Sequence, residues 1–222
     1  MTVAADKTTL RDGLFLYQAK AGYRFTEDAL CVAAFSNAHG KEKVLDFGCG
    51  NGIILLLLYA EAKDLSLYGI ELREEAYELA LLNMKENSVH AEIIKGDAMK
   101  ASAYFEHESF DRIVVNPPYF PVERCRLPQN PEIAAAKTEL YWSNEKMFRE
   151  AFTLLKAEGE IALIYPKERE KEIITPAEAA GFSLARRETA LKQRVLLAFV
   201  KKTEGLYGTG TVPRGNAHRQ PR

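Results

Sequence analysis

The chain has 222 residues, with 30 basic and 31 acidic side chains and a hydrophobic fraction of 47%. A neutral chain of this length and apolar content can bury one sizeable core, which excludes the disordered and fibrous classes. The longest apolar run, residues 53–60, is far shorter than the roughly 20 residues of a membrane span. The N-terminus lacks a signal-peptide pattern. The three scattered cysteines predict a reduced, cytoplasmic protein.

The first predicted elements are a hairpin at 14–18 and 23–25 and a helix that ends near residue 37, with Thr26 as its N-cap. Strand and helix patterns then alternate along the chain. Strands are predicted at 43–47, 65–70, 91–95, 110–115, 159–165, 182–187 and 194–201, and helices at 53–63, 73–87, 140–155 and 167–180, the last one broken near Pro176.

This alternation predicts an α/β fold with a parallel sheet and helices on both of its faces. The last two strands follow each other without a helix between them, which predicts an antiparallel edge. We expect a single domain over residues 1–202, made of the hairpin and helix at 13–37 and a core at 40–202. A flexible basic tail is predicted at 203–222.

The sequence VLDFGCGNG at residues 44–52 places three glycines directly after a predicted strand. Gly48, Gly50 and Gly52 allow a tight turn and the close approach of a ligand to the backbone. The third glycine comes one residue earlier than in the dinucleotide fingerprint, and Asp46 places a negative charge beside the turn. That charge repels a pyrophosphate and suits a cationic ligand, such as an ammonium or a sulfonium group. A purely structural turn is the alternative interpretation.

Two further acidic residues follow predicted strands. Glu71 ends the second core strand, where a carboxylate can accept two hydrogen bonds from a ribose diol. Asp97 follows the third core strand and can accept a hydrogen bond from an adenine amino group. A role at the start of the next helix or turn is the alternative for each of them.

The motif Asn116-Pro117-Pro118-Tyr119 follows an apolar strand and is the most specific signal in the chain. The two prolines end the strand and remove two backbone donors. The Asn116 side-chain oxygen and the Pro117 carbonyl can each accept one hydrogen of a planar NH₂ group, and Tyr119 offers a ring face for stacking. We therefore predict Asn116, Pro117 and Tyr119 as catalytic residues; a proline-rich loop shielded by a tyrosine is the alternative.

Four segments, in their order along the chain, resemble the class I S-adenosylmethionine-dependent methyltransferases that act on exocyclic amines and amides. They are LDFGCGNG, YGIE, KGDA and VVNPPY. This resemblance covers roughly residues 40–165. Residues 13–30 and 134–139 are similar to a narrower family, the bacterial tRNA(Val) adenine-N6 methyltransferases and related small-domain methyltransferases. The resemblance implies a seven-stranded Rossmann-like fold, S-adenosyl-L-methionine as cofactor, and RNA as partner, with the adenine next to a tRNA anticodon as the leading acceptor.

The resemblance also implies roles for single residues. Residues 46–52 would hold the methionine part of the cofactor, Glu71 its ribose and Asp97 its adenine, and Asn116 would contact both the cofactor and the target amine. Residues 23–26 and Asp28 are expected near the methionine end. The reaction needs no strong general base, because a methylated amine cation is very acidic, and the sequence shows no metal-ligand spacing.

Three alternatives remain open on the sequence. A protein glutamine amide presents the same planar NH₂ group, but those enzymes carry a helical domain before the glycine motif, where this chain has about 40 residues that read as a hairpin and one helix. The second alternative is a ribosomal RNA acceptor, and the third is a non-catalytic module that binds a nucleotide or RNA. The oligomeric state is not predictable.

The charge distribution suggests where RNA could be held. Residues 167–222 carry a net charge of +6, whereas the first 166 residues carry −7. Since phosphate contacts dominate nucleic-acid affinity, local basic groups are the expected ligands. The predicted contacts are Arg186, Arg187, Lys192 and Arg194, the tail residues Arg214, Arg219 and Arg222, and Arg124 and Arg126 close to the target base.

Overall fold

The computed structural model describes residues 5–20, 25–118, 142–191 and 193–202. Within these ranges no helix is both long enough and apolar enough to cross a membrane. The elements in chain order are β1 (Ala5–Thr9), β2 (Phe15–Ala19), α1 (Glu27–Ser36), β3 (Lys43–Phe47), α2 (Ile53–Glu61), β4 (Ser66–Glu71), α3 (Glu74–Glu86), β5 (Ala91–Lys95), a short 3₁₀ helix (Ala98–Ala103), β6 (Phe110–Val115), α4 (Asn144–Leu154), β7 (Leu155–Pro166), a second 3₁₀ turn (Lys167–Arg169), α5 (Lys171–Ala179), β8 (Phe182–Ala190) and β9 (Arg194–Lys201).

Seven strands form the central sheet in the order β5-β4-β3-β6-β7-β9-β8. The first five are parallel, and β9 runs antiparallel between β7 and β8. This arrangement confirms the predicted α/β class and the antiparallel edge. The chain winds outward from β3 to β5 and then returns to place β6 on the other side of β3. Open α/β sheets bind their ligands at such a reversal, outside the carboxyl ends of the strands.

Apolar side chains cover both faces of the sheet. One face packs against β2, α1, α2 and α3, and the other against α4 and α5. Six consecutive residues of α2, Ile53–Leu58, are buried, which explains why the sequence shows no helical period there. Each fully buried aliphatic side chain contributes roughly 1.5–3 kcal/mol to folding.

The N-terminal hairpin pairs β2 with β1, a strand that the sequence did not predict; of the strand predicted at 23–25, residues 23 and 24 lie outside the described residues. Asp12 and Gly13 form its turn with φ of 55° and 76°, and the Leu10 amide donates to the Leu14 carbonyl at 2.8 Å. Asp-Gly is a strong hairpin signal because both turn positions need positive φ. The sequence interpretation missed it because β1, with the sequence ADKTT, is too polar to read as a strand.

The break predicted in the last helix is also wrong, because α5 continues through Pro176. A proline has no N–H for the carbonyl four residues earlier, here that of Glu172. The Asn144 side-chain nitrogen at the start of α4 lies 3.4 Å from this carbonyl and donates to it instead. A neighbouring helix therefore supplies a donor that the proline lacks.

Ion pairs cluster at the amino ends of the central strands. Arg112 of β6 is buried; it donates two hydrogen bonds of 3.1 Å to Glu42 and a third, short one to Glu160. Arg186 of β8 donates to the same Glu160 at 2.6 Å. Burial alone raises the pKa of Glu42, but hydrogen bonds from Arg112 and from the His39 amide outweigh it and lower the pKa. This cluster stabilises the end of the sheet opposite the glycine turn.

Arg112→Ala should lower the free energy of unfolding by about 3 kcal/mol, since it leaves two partly buried carboxylates without their shared partner. Urea unfolding at neutral pH measures the loss. Arg187→Ala is the matched control, because the Arg187–Glu170 pair is more exposed and should matter little. An equal loss in both variants would show that burial of the Arg112 cluster adds nothing.

Candidate active site

A cleft of about 980 Å³, measured to its open mouth, lies at the carboxyl ends of β3, β4, β5 and β6. It occupies the edge at which the strand order reverses. Five residues predicted from the sequence line it together: Gly48, Gly50, Glu71, Asp97 and Asn116. Residues that lie 68 positions apart in the sequence are thus brought to one site by the parallel pairing of the strands.

The three glycines of the turn have different roles, although all have φ between 57° and 82°. A Cβ on Gly50 would enter open space, and one on Gly48 would meet the Trp142 ring at 3.6 Å. Bare backbone therefore faces the cleft at these two positions. Gly52 does not line the cleft; it is the N-cap of α2, and a Cβ there would lie 3.0 Å from the Met84 methyl group. Gly52 thus allows close packing of helices rather than ligand contact.

The amides of the turn are bonded within the protein. Those of Gly48 and Cys49 both donate to the Ile70 carbonyl, at 2.9 and 3.0 Å. The Gly50 amide donates to Glu71 Oε2 at 2.9 Å. A phosphate-binding loop presents such amides to its ligand. Because these three amides are engaged elsewhere, the turn is not built for a pyrophosphate, as its spacing and Asp46 predicted.

Glu71 ends β4, and its side chain is almost fully buried. Besides the Gly50 amide, it accepts hydrogen bonds from the Arg73 amide at 2.9 Å and from Arg73 Nε at 3.0 Å. Glu71 therefore ties the glycine turn to the start of α3 while it lines the cleft. Its bonds to Arg73 confirm the alternative role at the start of the next helix. The bond to the Gly50 amide was not predicted, and the ribose contact stays a prediction.

Asp97 follows β5 and also lines the cleft. Its Oδ1 accepts a hydrogen bond of 2.9 Å from the Met99 amide, so it caps the short helix that begins at Ala98. The cap predicted as the alternative role is confirmed. The contact with a cofactor adenine stays a prediction.

Asp46 is completely buried near the end of β3, beneath the turn rather than on the wall of the cleft. Neither of its carboxylate oxygens has a hydrogen-bond partner among the described residues. Burial, and secondarily the charge of Glu71, raise the pKa of Asp46 well above its ordinary value of 3.8. A carboxyl group in this position is costly unless a donor or a cation approaches it.

Trp142 is a cleft residue that the sequence interpretation missed. It is the single tryptophan of the chain, and its indole N–H is buried without an acceptor in the described part of the structure. It lies just before α4, three residues after the segment 134–139 but within none of the motifs, so no sequence pattern assigned it to the site. The site therefore holds an unsatisfied donor at the cleft, which a ligand could satisfy, while the unsatisfied acceptors of Asp46 lie beneath the turn.

The predicted acceptor clamp, which consists of Asn116, Pro117 and Tyr119, lies only partly within the residues that the structure describes. Asn116 and Pro118 line the cleft directly after β6, whereas Pro117 is buried and does not line it. The prediction placed the Pro117 carbonyl at the target amine, and the lining of the cleft does not include it. Tyr119 lies outside the described residues.

Several side chains that were predicted to contact a ligand or RNA pair within the fold. Arg187 bonds Glu170 at 2.6 Å. Arg194 bonds Asp28 at 3.3 Å, so Asp28 anchors α1 to β9 instead of lining the cleft. Arg186 belongs to the ionic cluster at the opposite end of the sheet. These three arginines have carboxylate partners within the fold, and their contact with RNA stays a prediction. The other predicted RNA contacts lie outside the described residues; they are Lys192, Arg124, Arg126, Arg214, Arg219 and Arg222.

Comparison with known proteins gives a consistent assignment. The family model of the methyltransferase small domain matches residues 28–176. The chain belongs to this family. It is an S-adenosylmethionine-dependent methyltransferase with the Rossmann-like fold of that class, as the sequence motifs predicted. In the described residues no group of three His, Cys, Asp or Glu side chains is placed to hold a metal ion.

Relatives of this methyltransferase include the tRNA1(Val) (adenine(37)-N6)-methyltransferase of Actinobacillus pleuropneumoniae, which is 26% identical over 75% of this chain and 70% of that protein. A methyltransferase from Pyrococcus furiosus has the same fold, with a TM-score of 0.67, 21% identity and coverage of 87% and 91% of the two chains. TrmN from Thermus thermophilus matches with a TM-score of 0.61 and 21% identity, over 78% of this chain and about half, 48%, of that one.

The residues of the cleft fit the cofactor of the family. Gly48 and Gly50 leave room for a ligand against the backbone, and the engaged amides of the turn disfavour a phosphate ligand. Asp46 supplies a buried carboxyl group without a hydrogen-bond partner among the described residues, and S-adenosylmethionine carries both an ammonium and a sulfonium group, which favour its ionised form. The methyltransferase thus places a carboxyl group near its cationic ligand, whereas a dinucleotide-binding site presents backbone amides to a phosphate.

Asp46→Asn should stabilise the cofactor-free protein, and the gain should grow with pH. Because the pKa of Asp46 is raised in the folded state, the unfolded chain loses this proton first, and the native protein loses stability as the pH rises above 3.8. Asparagine does not titrate. Urea unfolding across the acid-to-neutral range should show two stabilities that converge in acid and separate above it.

Asp111→Asn provides a control of opposite sign. Burial alone raises the pKa of Asp111, but hydrogen bonds from Lys156 and the Lys43 amide lower it overall. The Asp111 carboxylate therefore stabilises the wild-type fold above the ordinary pKa. The Asp111→Asn protein lacks this gain, so its stability should fall further below that of the wild type as the pH rises. A pH-independent difference for Asp46→Asn would show that its carboxyl group is not buried as described.

S-adenosylhomocysteine should change the fluorescence of Trp142, which reports from the cleft alone because the chain has one tryptophan. Trp142→Phe keeps a ring and removes the N–H donor, so we expect binding to weaken by up to about tenfold, as measured by calorimetry. An unchanged emission together with an unchanged affinity would show that the indole has no part in ligand binding.

Proposed function

We propose that this methyltransferase transfers a methyl group to N6 of an adenine in RNA, with the adenine next to a tRNA anticodon as the leading acceptor. The observation that carries the proposal is the single cleft in which Asn116 and Pro118 face the glycine turn, Glu71 and Asp97. Relatives of 24% to 28% identity are named as tRNA1(Val) (adenine(37)-N6)-methyltransferases, which supports this acceptor. Such an enzyme acts in the cytoplasm, where its RNA is found.

Three carboxylates would hold the cofactor. Glu71 has further lone pairs for a ribose diol, and Asp97 can accept a hydrogen bond from the adenine amino group. Asp46, beneath the turn, would be the counter-ion for the cationic methionine part, because its oxygens have no hydrogen-bond partner among the described residues. When bound, S-adenosylmethionine supplies an electrophilic methyl group on a positively charged sulfur.

Asn116 and Pro117 would hold the acceptor. The Asn116 Oδ1 accepts one hydrogen of the adenine amino group, which aims the nitrogen lone pair into the cleft. The Pro117 carbonyl is the predicted acceptor of the other hydrogen, although Pro117 does not line the cleft. Tyr119 stacks on the base. The apolar walls exclude water and fix the geometry, which is the main contribution a protein can make to this displacement. The methylated nitrogen then loses its proton to solvent without a dedicated base.

Methylation of a protein glutamine is the competing proposal. Relatives that are named for the adenine at position 37 of tRNA1(Val) support an RNA acceptor instead. Ribosomal RNA presents the same chemistry as tRNA. The wild-type enzyme should therefore be offered tRNA, ribosomal RNA and protein side by side with labelled cofactor.

Asn116→Ala should lower kcat on adenine-containing RNA by about 10²–10³ and leave the affinity for S-adenosylhomocysteine nearly unchanged, because it removes an acceptor that matters most in the transition state. Mass spectrometry of nucleosides after incubation with labelled cofactor should show N6-methyladenosine in tRNA.

Asn37→Gly, at an exposed position at the end of α1, is the control and should turn over normally. Full turnover by Asn116→Ala would show that Asn116 does not hold the target amine. Label on a protein amide and none on RNA would show that the acceptor is a protein amide and not an adenine.

A further inference from the structure

Asn83 of α3 is completely buried, and its side chain joins three parts of the molecule. Its Oδ1 accepts a hydrogen bond of 2.7 Å from the Tyr17 amide, and its Nδ2 donates to the Tyr17 carbonyl at 2.8 Å. The same Nδ2 donates to the Asn51 carbonyl at 2.9 Å. Tyr17 belongs to β2 of the hairpin, and Asn51 belongs to the glycine turn and lines the cleft.

Asn87, one helical turn later, makes the equivalent pair of bonds to the hairpin but none to the turn among the described contacts. Its Oδ1 accepts from the Phe15 amide at 2.9 Å, and its Nδ2 donates to the Phe15 carbonyl and to the Asn83 carbonyl, both at 2.7 Å. Four residues of a helix rise about 6 Å, close to the roughly 6.7 Å of two strand residues. The two amides therefore bond the free edge of β2 as a neighbouring strand would.

We infer that Asn83 is a positioning residue for the cofactor, because it fixes the Asn51 carbonyl and thereby the backbone that faces the cleft. Asn51 lies between Gly50 and Gly52, whose backbones have many accessible conformations. The bonds of the turn to Ile70 and Glu71 come from the β4 side. Asn83 restrains the turn from the opposite side, through α3 and the hairpin.

This arrangement also makes the hairpin part of the cofactor site without direct contact. A displacement of β2 acts on Asn83 through both Tyr17 bonds, and Asn83 passes it to Asn51. Asn87 fixes the hairpin equally well but has no such connection to the turn. The two asparagines thus separate hairpin attachment from control of the turn, and this inference rests on the proposal that the cleft holds S-adenosylmethionine.

The test compares Asn83→Asp with Asn87→Asp. Each change keeps the acceptor for a hairpin amide and removes two N–H donors, so both variants should be destabilised. Asn83→Asp alone should raise the Kd for S-adenosylhomocysteine and the KM for S-adenosylmethionine by about tenfold, the effect of one lost hydrogen bond to a buried group. We expect kcat at saturating cofactor to change little, and calorimetry well below both melting temperatures gives the Kd.

Equal Kd values for the two variants, with wild-type binding intact, would overturn the inference and leave the proposed function standing. Failure of the wild-type protein to bind S-adenosylhomocysteine would overturn both. If Asn83→Asp does not fold, side-chain amide resonances of the wild-type protein give the answer. Those of Asn83 should shift on titration with S-adenosylhomocysteine and those of Asn87 should not; an unmoved Asn83 signal would overturn the inference.

Discussion

The Ile70 carbonyl at the end of β4 accepts the amides of Gly48 and Cys49, and Glu71 accepts the amide of Gly50. The shape of the glycine turn is therefore set by the neighbouring strand and not by the turn alone. This requires β3 and β4 to lie side by side, in parallel register, with their carboxyl ends level. Because the amides point into the framework, the turn offers no donors at these positions and accommodates a cation better than a phosphate.

The two ends of the central strands differ in how completely their polar groups are satisfied. At the amino ends, Arg112 and its carboxylate partners form a closed network with several short bonds. At the carboxyl ends, Asp46 and Trp142 have polar atoms without partners among the described residues. The fold thus gains stability at one end of the sheet and accepts a loss of it at the other, which is the usual relation between a scaffold and its binding site.

The sequence predicted the central sheet well because its strands are apolar runs that end at recognisable turn residues. The predicted bounds of 91–95, 110–115 and 194–201 agree with β5, β6 and β9. The site residues at strand ends could be predicted for the same reason, since parallel strands bring their carboxyl ends together. Gly48, Gly50, Glu71, Asp97 and Asn116 were placed in one cleft by that argument.

The features that escaped prediction depend on contacts between distant parts of the chain. The bond between Asn83 and Tyr17 joins residues 66 positions apart, and the bond between Arg194 and Asp28 joins residues 166 apart. Composition alone presented Arg194 as a basic residue, and only the structure shows its bond to Asp28. The helical Pro176 was missed for the same reason, because its missing donor is replaced by a different helix.

The hairpin of β1 and β2 forms a sheet of its own, and the seven-stranded sheet is paired without it. Its edge is attached to α3 by the side chains of two asparagines, while Leu14 and Leu16 fill the core beneath. An evolving lineage can therefore lengthen, shorten or replace the hairpin without disturbing the register of any strand that supports catalysis. Because Asn83 bonds both Tyr17 and Asn51, a change in the hairpin would still reach the cofactor turn, but through one side chain and not through the sheet.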